Sequence, residues 1–260
     1  MEQLYIIKIG GNIIDDENML QQFLLQLNKM EHPFILIHGG GKLATSLAAD
    51  LNIPQQMIDG RRITDAQTLK IVTMVYAGYI NKNIVAQLQA NGVNAFGLCG
   101  ADGNFIAANK RKHATIDYGF VGDIKHVNIE VLIMLLKNNY LPVVAPITHN
   151  TNAQLLNTNA DTIANEIATS LSSKYNVSLI YCFDKVGVLQ NLEDENSVIK
   201  NINQQNIEYL KQEQIIHSGM LPKIDNAFQA IQKGVQKVIL GHAKDIVQLV
   251  VGLKGTSISS

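Results

Sequence analysis

Two glycine-rich turns hold the residues of this sequence that are best suited to chemistry. The turn at 10–11 follows Lys8, and the turn at 39–41 follows His38. Because glycines carry no side chain, their backbone N–H groups can approach an oxyanion closely, and a helix that begins there adds partial positive charge. Either turn alone is also typical of a tight connection between a strand and a helix. The two turns together predict a site in which two anionic groups face each other.

Charged and amide side chains extend this pattern. Lys8 ends an apolar run, where a buried ammonium group is costly unless it meets a negative partner such as a phosphate. A lysine that reaches solvent from the end of a strand is the alternative. Asn157, Asn159 and Asp161 open a helical pattern and exceed what a helix cap needs. Lys223 precedes an amphipathic helix predicted at 224–233 and could bring a second ammonium group to the same edge of the sheet.

The second glycine turn allows a different interpretation. Residues 39–44 match the pattern G-x-G-x-x-A of dinucleotide-binding folds, and Asp59 lies at a plausible distance for a ribose partner. That interpretation predicts an oxidoreductase, although Asp59 does not close a clear second strand. A phosphate loop of the G-x-x-x-x-G-K-[ST] type is excluded, because Leu36 occupies the position of the first glycine and Leu43 that of the hydroxyl residue.

These residues need a scaffold, and the sequence predicts one of the α/β class. Short β-branched runs alternate with longer stretches of helical period, which is typical of a mostly parallel sheet covered by helices. We predict strands at 4–9, 34–38, 95–98, 141–145, 179–182 and 237–240. Helical spacing predicts buried helix faces, among them Leu69, Val72, Val75, Tyr76 and Tyr79. Residues 100–122 resemble a hairpin or irregular flap, 190–205 resemble a loop, and no linker divides the chain, so we expect two lobes that share one continuous sheet.

The composition excludes several classes of protein. With 47% hydrophobic and 17% charged residues, the 260-residue chain is expected to fold into one large or two small domains. A formal net charge of −1 gives no field for nucleic acid, and no apolar run approaches the roughly 20 residues that span a membrane. The N-terminus lacks a secretory pattern. Cys99 and Cys182 form no disulfide framework and the histidines show no metal-ligand spacing, so we expect a reduced cytoplasmic protein without a metal site.

Five motifs occur in order along nearly the whole chain. They are Lys8-Ile9-Gly10-Gly11, His38-Gly39-Gly40-Gly41, Gly60-Arg61-Arg62-Ile63-Thr64, Asn157-Thr158-Asn159-Ala160-Asp161 and Gly219-Met220-Leu221-Pro222-Lys223. With these motifs the sequence resembles the acetylglutamate kinases of the amino-acid kinase family. Any one motif is weak evidence, whereas five at similar spacing are specific.

The resemblance implies a three-layer αβα sandwich with a mostly parallel central sheet, similar to that of carbamate kinase. It implies an N-terminal lobe, 1–173, for acyl-glutamate binding and dimerisation, and a C-terminal lobe, 174–260, for ATP binding. The implied enzyme uses ATP, with Mg²⁺ held mainly by phosphates and water, to phosphorylate the γ-carboxylate of N-acetyl-L-glutamate in the second step of arginine biosynthesis. Its implied partners are the small-molecule substrate and a second copy of the chain, without nucleic acid or membrane.

The resemblance also implies roles for individual residues. Lys8 and Lys223 would stabilise the transferring phosphoryl group, and Asp161 would hold their two ammonium groups in position. Four residues would bind the acyl-glutamate substrate, namely Gly40, Gly41, Arg62 and Asn157. The nucleotide would be bound by Gly10, Gly11, Asp184, Lys185, Val186, Gly187, Val188, Leu189, Ile215, Ile216 and His217.

Two features depart from the family pattern. Arg61 stands where the family usually has leucine. If it pointed into the acyl pocket it would pair an additional anion, so N-succinyl-L-glutamate of a variant arginine pathway is an alternative acceptor; otherwise Arg61 is solvated.

The first predicted strand begins at about Leu4, whereas arginine-inhibited hexameric members carry a helix before it. We therefore expect an arginine-insensitive homodimer packed through central helices of the N-terminal half. Aspartate or glutamate as acceptor is disfavoured only through the family motifs at Arg62 and Asn157.

Overall fold

The computed structural model describes residues 1–58, 61–191, 193–213, 215–216 and 220–260, with the backbone alone at Pro222. The strands in chain order are β1 (Gln3–Ile9), β2 (Phe34–His38), β3 (Met57–Ile58), β4 (Arg61–Arg62), β5 (Ala95–Leu98), β6 (Ile106–Lys110), β7 (Gly122–Val127), β8 (Leu141–Val144), β9 (Ile147–His149), β10 (Leu155–Asn157), β11 (Asn176–Phe183), β12 (Asn201–Ile202), β13 (Lys237–His242) and β14 (Thr256–Ile258).

The helices connect these strands. The α-helices are α1 (Gly11–Ile14), α2 (Glu17–Leu27), α3 (Gly41–Asp50), α4 (Ala66–Val72), α5 (Asn81–Ala90), α6 (Ile129–Lys137), α7 (Ala160–Leu171), α8 (Ile207–Gln212), α9 (Leu221–Gln232) and α10 (Ile246–Val250). A π-helical segment, Thr73–Ile80, joins α4 to α5, and short 3₁₀ turns lie at Asp102–Asn104 and Ala243–Asp245.

An eight-stranded sheet forms the centre of the molecule, in the order β12-β14-β13-β11-β1-β2-β8-β5. The pairs from β13 across to β5 are parallel, and β14 runs antiparallel to β13. Strands from both halves of the chain meet where β1 pairs with β11, so one sheet runs through the whole molecule. This agrees with the predicted mostly parallel α/β architecture.

Both faces of the sheet are covered, because its central strands are apolar on both sides. Along β1, Ile7 and Ile9 pack into one core with α2, α5 and α10, whereas Leu4 and Ile6 pack into a second core with α6, α7 and α9. The resulting layers are helix, sheet and helix. The predicted three-layer αβα sandwich is therefore confirmed.

Short polar strands were absent from the sequence prediction. A four-stranded sheet, β10-β9-β6-β7, and a two-stranded hairpin, β3-β4, lie beside the large sheet. The predicted flap at 100–122 contributes β6, which pairs antiparallel with β7 as a hairpin, and the predicted loop at 190–205 contains the two-residue strand β12. Strands of two to six residues with mixed polarity carry too little periodicity to be recognised locally.

The helix that runs from α4 through the π-helical segment to α5 changes the face it buries. Leu69, Val72, Val75 and Tyr76 are buried as predicted, but Tyr79 is 63% exposed. The prediction that Tyr79 belongs to the core is wrong, because a π-helical turn contains more residues than the α-helical turn assumed for the spacing.

The parallel register aligns the carboxyl ends of the three central strands. Ile9 of β1 lies opposite His38 of β2 and opposite Cys182 of β11. The two glycine turns and the segment after β11 therefore leave the sheet side by side, where ligands of open α/β sheets bind. None of the helices in the described ranges combines the length and apolar character needed to cross a membrane.

Candidate functional site

A cavity of about 250 Å³ opens at this edge of the sheet. It lies between the end of β1, the second glycine turn, β4 and the start of α7. Its lining includes Lys8, Gly11, Gly39, Gly40, Gly41, Arg61, Arg62, Tyr76, Arg111, Gly122, Asn157, Thr158, Asn159 and Asp161. The four residues predicted to bind the acceptor substrate, Gly40, Gly41, Arg62 and Asn157, all line this one space.

Lys8 and Asp161 form an ion pair in this cavity. Lys8 Nζ lies 2.8 Å from Asp161 Oδ1, and the two side chains are 15% and 33% exposed. Asp161 is in place because Asn159 caps α7, its side chain accepting hydrogen bonds from the backbone N–H groups of Asp161 and Thr162. The mostly buried ammonium group therefore has the negative partner that its position requires.

The second glycine turn is shaped by close packing. Gly40 has φ of +142°, and a Cβ placed on it would stand 2.2 Å from Ile80 Cδ1 and 3.3 Å from the Tyr76 ring. The Gly39 N–H donates to the carbonyl of Ile9 at 3.0 Å, which ties this turn to the first one. The backbone of the turn lies on the cavity wall, and Gly40 caps the ten-residue helix α3. Glycine is required here by both conformation and space.

Arg62 is held beside this turn by several hydrogen bonds. Its Nη2 donates to the Gly41 carbonyl at 2.8 Å and to Thr45 Oγ1 at 2.9 Å. Its Nη1 donates to Gln55 Oε1. Although charged, Arg62 is only 8% exposed. Burial raises the pKa of the neighbouring Tyr76 hydroxyl, and the positive charge of the Arg62 guanidinium counteracts part of that rise. A buried, positioned guanidinium suits a carboxylate ligand.

Asn157 connects to Arg62 through Thr64. Asn157 Nδ2 donates to Thr64 Oγ1 at 3.0 Å, and Thr64 Oγ1 donates to the Arg62 carbonyl at 3.0 Å. Thr64 is fully buried and its backbone pairs with that of Tyr118 and Phe120, in the flap after β6. The two predicted substrate residues, distant in sequence, thus share one wall of the cavity.

Two further arginines line the cavity. The sequence marked Arg61 as a possible acyl-pocket residue, and the structure places it in the lining. Arg111 was missed. It follows β6, donates through Nε and Nη2 to Asp123 Oδ1, and lies over the Tyr118 ring at 5.6 Å. A basic residue in a polar flap looks like a solvated one, and only the hairpin pairing turns Arg111 toward the site.

The charges of the cavity favour an anionic ligand. Its lining contains the cations Lys8, Arg61, Arg62 and Arg111 and the carboxylate Asp161. The N-terminus of α3 and that of α7 add partial positive charge at the same edge. The cavity therefore has an excess of positive charge, although the whole chain has a net charge of −1.

Lys223 does not line this cavity. It lies in the first turn of α9, with Nζ 5.3 Å from the centroid of the Phe183 ring at the end of β11. Among the described residues, Asp161 forms an ion pair with Lys8 and none with Lys223. Helix α9 packs on β13 and on α7, the helix that begins beside Asp161. The role of Asp161 toward Lys223 stays a prediction.

The predicted nucleotide residues begin at the same edge. Gly11 lines the cavity, and the position of a Cβ on Gly10 is 3.9 Å from Lys8 Nζ. Asp184, directly after β11, accepts a hydrogen bond from Asn12 Nδ2 at 3.2 Å. Asn12 Oδ1 in turn accepts from Lys42 Nζ at 2.6 Å. The first glycine turn is thereby joined to the C-terminal half of the chain.

The other predicted nucleotide-binding residues differ in their exposure to solvent. Lys185 is exposed, Val186 and Ile215 are half-buried, and Gly187, Val188, Leu189 and Ile216 are buried. Val188 N–H donates to Thr256 Oγ1 at 2.8 Å. The Val188 carbonyl accepts from the Ile199 N–H at 2.8 Å, so the backbone of Val188 is engaged on both sides. The side chains of Val188, Leu189 and Ile216 are buried in the core. His217 lies outside the described residues.

The dinucleotide interpretation of the second glycine turn is not supported by the topology. A dinucleotide fold needs a strand after α3 that pairs parallel with β2. Here α3 leads to the small antiparallel hairpin β3-β4, and β2 is flanked by β1 and β8. The proposed ribose partner, Asp59, lies outside the described residues.

Comparison with known proteins agrees with this geometry. Residues 3–242 match the model of the amino acid kinase family. The chain is 53% identical to the acetylglutamate kinase of Cytophaga hutchinsonii over 251 residues, which cover 96% of this chain and 95% of that one. It is 50% identical to the acetylglutamate kinase of Parabacteroides distasonis, covering 95% and 97% of the two chains. The carbamate kinase of Giardia lamblia, at 15% identity, has the same fold with a TM-score of 0.71 over 100% of this chain and 99% of that one.

Proposed function

Because the chain belongs to the amino acid kinase family, we propose that it phosphorylates the γ-carboxylate of N-acetyl-L-glutamate with ATP, the second step of arginine biosynthesis. The products are N-acetyl-L-glutamyl 5-phosphate and ADP. Relatives named acetylglutamate kinase, about half identical over nearly the full length of both chains, support this assignment. The aspartate or glutamate acceptor is disfavoured by the same relatives.

The observation that carries the proposal is the layout of the cationic cavity. Two connected groups of residues line it. Lys8 lies beside Gly10 and pairs with Asp161, whereas Arg62 lies beside Gly41 and is linked through Thr64 to Asn157. A dicarboxylate with an acylamino group matches this layout, because Arg62 suits the α-carboxylate and the Asn157 amide oxygen can accept from the acylamino N–H. The γ-carboxylate then lies at the glycine turn, toward Lys8.

The reaction itself needs no general base. A γ-carboxyl group has an ordinary pKa of about 4.3 and is ionised at neutral pH. A carboxylate oxygen attacks the γ-phosphorus of ATP, the bond to the bridging oxygen breaks, and ADP leaves with that electron pair. No proton is transferred. The obstacle is repulsion between anions, which Lys8 and the N–H groups of Gly40 and Gly41 reduce by stabilising charge in the transition state.

The nucleotide approaches from the C-terminal half. Gly10, Gly11 and the segment that begins at Asp184 border the edge on that side, and Lys223 stands above Phe183 where it can meet the phosphates. Mg²⁺ bound to the nucleotide would neutralise part of the phosphate charge. We assign the ion mainly to phosphates and water, because Mg²⁺ sheds its waters reluctantly.

The test is a trapping assay with hydroxylamine, which converts an acyl phosphate into a hydroxamate. We expect hydroxamate to form with MgATP and N-acetyl-L-glutamate, and not with glutamate or aspartate. Stabilisation in a thermal-shift titration by MgATP but not by NADH is the matching binding result. An absence of hydroxamate with every acylated glutamate contradicts the proposed function.

A second acceptor, N-succinyl-L-glutamate, is favoured by one observation. Beyond Arg62, the cavity lining contains the exposed cation Arg61, whereas Arg111 is already paired with Asp123. The additional carboxylate of a succinyl group would pair with Arg61. Steady-state kinetics decides between the acceptors, since a much higher kcat/KM for the acetyl compound eliminates the succinyl alternative.

The proposed enzyme is a homodimer that acts in the cytoplasm. Met74 and Tyr79 of the π-helical segment are 54% and 63% exposed, which leaves an apolar surface on a central helix of the N-terminal half for a second copy. Cys99 and Cys182 are free thiols, as is usual in a reducing compartment. Arginine insensitivity stays a prediction, to be tested by assay with added arginine.

A further inference from the structure

His38 takes no part in the reaction described above, yet it stands directly before the glycine turn and is fully buried. Its Nδ1 lies 2.8 Å from the Gly39 carbonyl oxygen. Its Nε2 lies 3.2 Å from Nδ2 of Asn81, the first residue of α5. Both ring nitrogens are therefore engaged, one by the turn and one by a helix that packs behind it.

The neighbours of Asn81 decide which ring nitrogen carries the proton. Lys82 Nζ donates to Asn81 Oδ1 at 3.0 Å, and an ammonium group can only donate, so the amide oxygen faces Lys82. The amide nitrogen then faces His38 and the Val143 carbonyl, the latter at 2.9 Å. Nε2 of His38 therefore accepts, and Nδ1–H donates to the Gly39 carbonyl. Burial lowers the pKa of His38 to about 4, so the ring is neutral at neutral pH.

This hydrogen bond has a consequence for Gly40. A trans peptide is planar, and its C=O and N–H point in opposite directions. The described residues include no cis peptide bond. If the Gly39 carbonyl points toward the buried His38 ring, the Gly40 N–H must point away from it, and the wall on which this turn lies is the cavity wall. Without such a restraint the peptide between two glycines can rotate easily.

We propose that His38 is a positioning residue of the acceptor site, whose Nδ1–H, oriented by Asn81, fixes the Gly39–Gly40 peptide so that the Gly40 N–H meets the acceptor carboxylate. The identity of the acceptor rests on the proposed function. The hydrogen-bond arrangement itself does not depend on it.

Two substitutions separate positioning from packing. The amide nitrogen of His38→Asn can occupy the place of Nδ1, whereas that of His38→Gln reaches the place of Nε2. We expect H38N to keep most of the kcat/KM for the acceptor. H38Q should lose roughly 10- to 100-fold, a loss that at its upper end reaches the effect of removing one oxyanion donor. The KM for ATP should stay the same in both. Equal losses in the two variants, or losses that simply follow their melting temperatures, overturn the proposal.

A measurement on the unaltered protein is independent of how the variants fold. In ¹⁵N-histidine NMR spectra at pH 7, we expect His38 to be protonated at Nδ1 and bare at Nε2. A proton on Nε2 overturns the proposal whatever the kinetics show. If the unaltered protein phosphorylates none of the acylated glutamates, the proposed function fails, and the NMR result still tests the arrangement of the turn.

Discussion

Lys8 Nζ lies 2.8 Å from Asp161 Oδ1, which joins the first strand to the start of α7 in the lining of the cavity. The contact stabilises an ammonium group that is only 15% exposed. It also explains why a lysine is tolerated in a strand whose other residues are mostly fully buried. A phosphoryl group entering the cavity would meet a cation that is already oriented.

Replacing either lysine of the proposed pair should slow phosphoryl transfer. We expect Lys8→Met to lower kcat by about 10²–10³-fold, because it removes a charge that stabilises the transition state. Lys223→Met should also lower kcat, although Lys223 lies outside the cavity. The matched control is Lys137→Met, an exposed lysine beside the amino ends of the strands. A K8M enzyme with the kcat of the K137M enzyme contradicts the role of Lys8.

Adding one methyl group at Gly40 should disrupt the acceptor site. Gly40→Ala forces a Cβ to within 2.2 Å of Ile80 Cδ1 at a φ of +142°. We expect a loss of about 1–3 kcal/mol in the free energy of unfolding and a large loss of activity. Gly92→Ala is the control, because Gly92 also has a positive φ, +79°, but nothing lies within 4 Å.

The steric part of this effect can be isolated. Ile80→Val removes Cδ1, the atom that the new methyl group would strike. The double variant G40A/I80V should therefore be less destabilised than the sum of the two single variants, as measured by denaturant unfolding. Additive losses would show that the clash with Ile80 Cδ1 does not contribute to the effect.

The stability of the protein should fall between pH 6.5 and pH 4 through His38. Its pKa is about 4 in the folded protein against 6.5 ordinarily, with burial as the main cause. Above pH 6.5 the ring is neutral in both states. As the pH falls, the unfolded chain takes up a proton that the folded protein does not, so the free energy of unfolding decreases by up to about 3 kcal/mol. The H38N variant should lack this part of the pH dependence, and an unchanged dependence refutes the assignment.

Arg61 should select the acyl group if the substrate carries a third carboxylate. Arg61→Leu is then expected to lower kcat/KM for N-succinyl-L-glutamate about tenfold, by loss of one charged hydrogen bond. The kcat/KM for N-acetyl-L-glutamate should change little. Lys125→Leu, at another exposed cation, provides the control. Equal effects on both acceptors would mean that Arg61 does not contact the acyl group.

A charge on the π-helical segment should dissociate the proposed dimer. We expect sedimentation velocity to give a dimer for the unaltered protein and a monomer for Tyr79→Glu, because an uncompensated carboxylate cannot be buried at an apolar interface. Tyr209→Glu, at a tyrosine that is 58% exposed on α8, should remain dimeric. A monomeric unaltered protein rules the dimer out.

Much of the scaffold follows from local pattern in the sequence. The strands at 34–38 and 95–98 have the predicted bounds, and the other four predicted strands differ only at their ends. The glycines after β1 and β2, and the cap before α7, were also recognisable. These features depend on neighbouring residues, since alternation, helical period and backbone freedom are properties of short segments.

Other features were decided by packing between distant segments. Arg111 faces the cavity only because β6 pairs with β7, and Lys223 stands over Phe183 only because α9 packs on β13. The tautomer of His38 depends on Asn81, which directly follows the π-helical segment and contacts the His38 ring. The sequence by itself determined which segments are strands, helices and glycine turns, because those preferences are local. Tertiary structure decided which cations share a cavity, because that depends on register and helix packing, which no short pattern encodes.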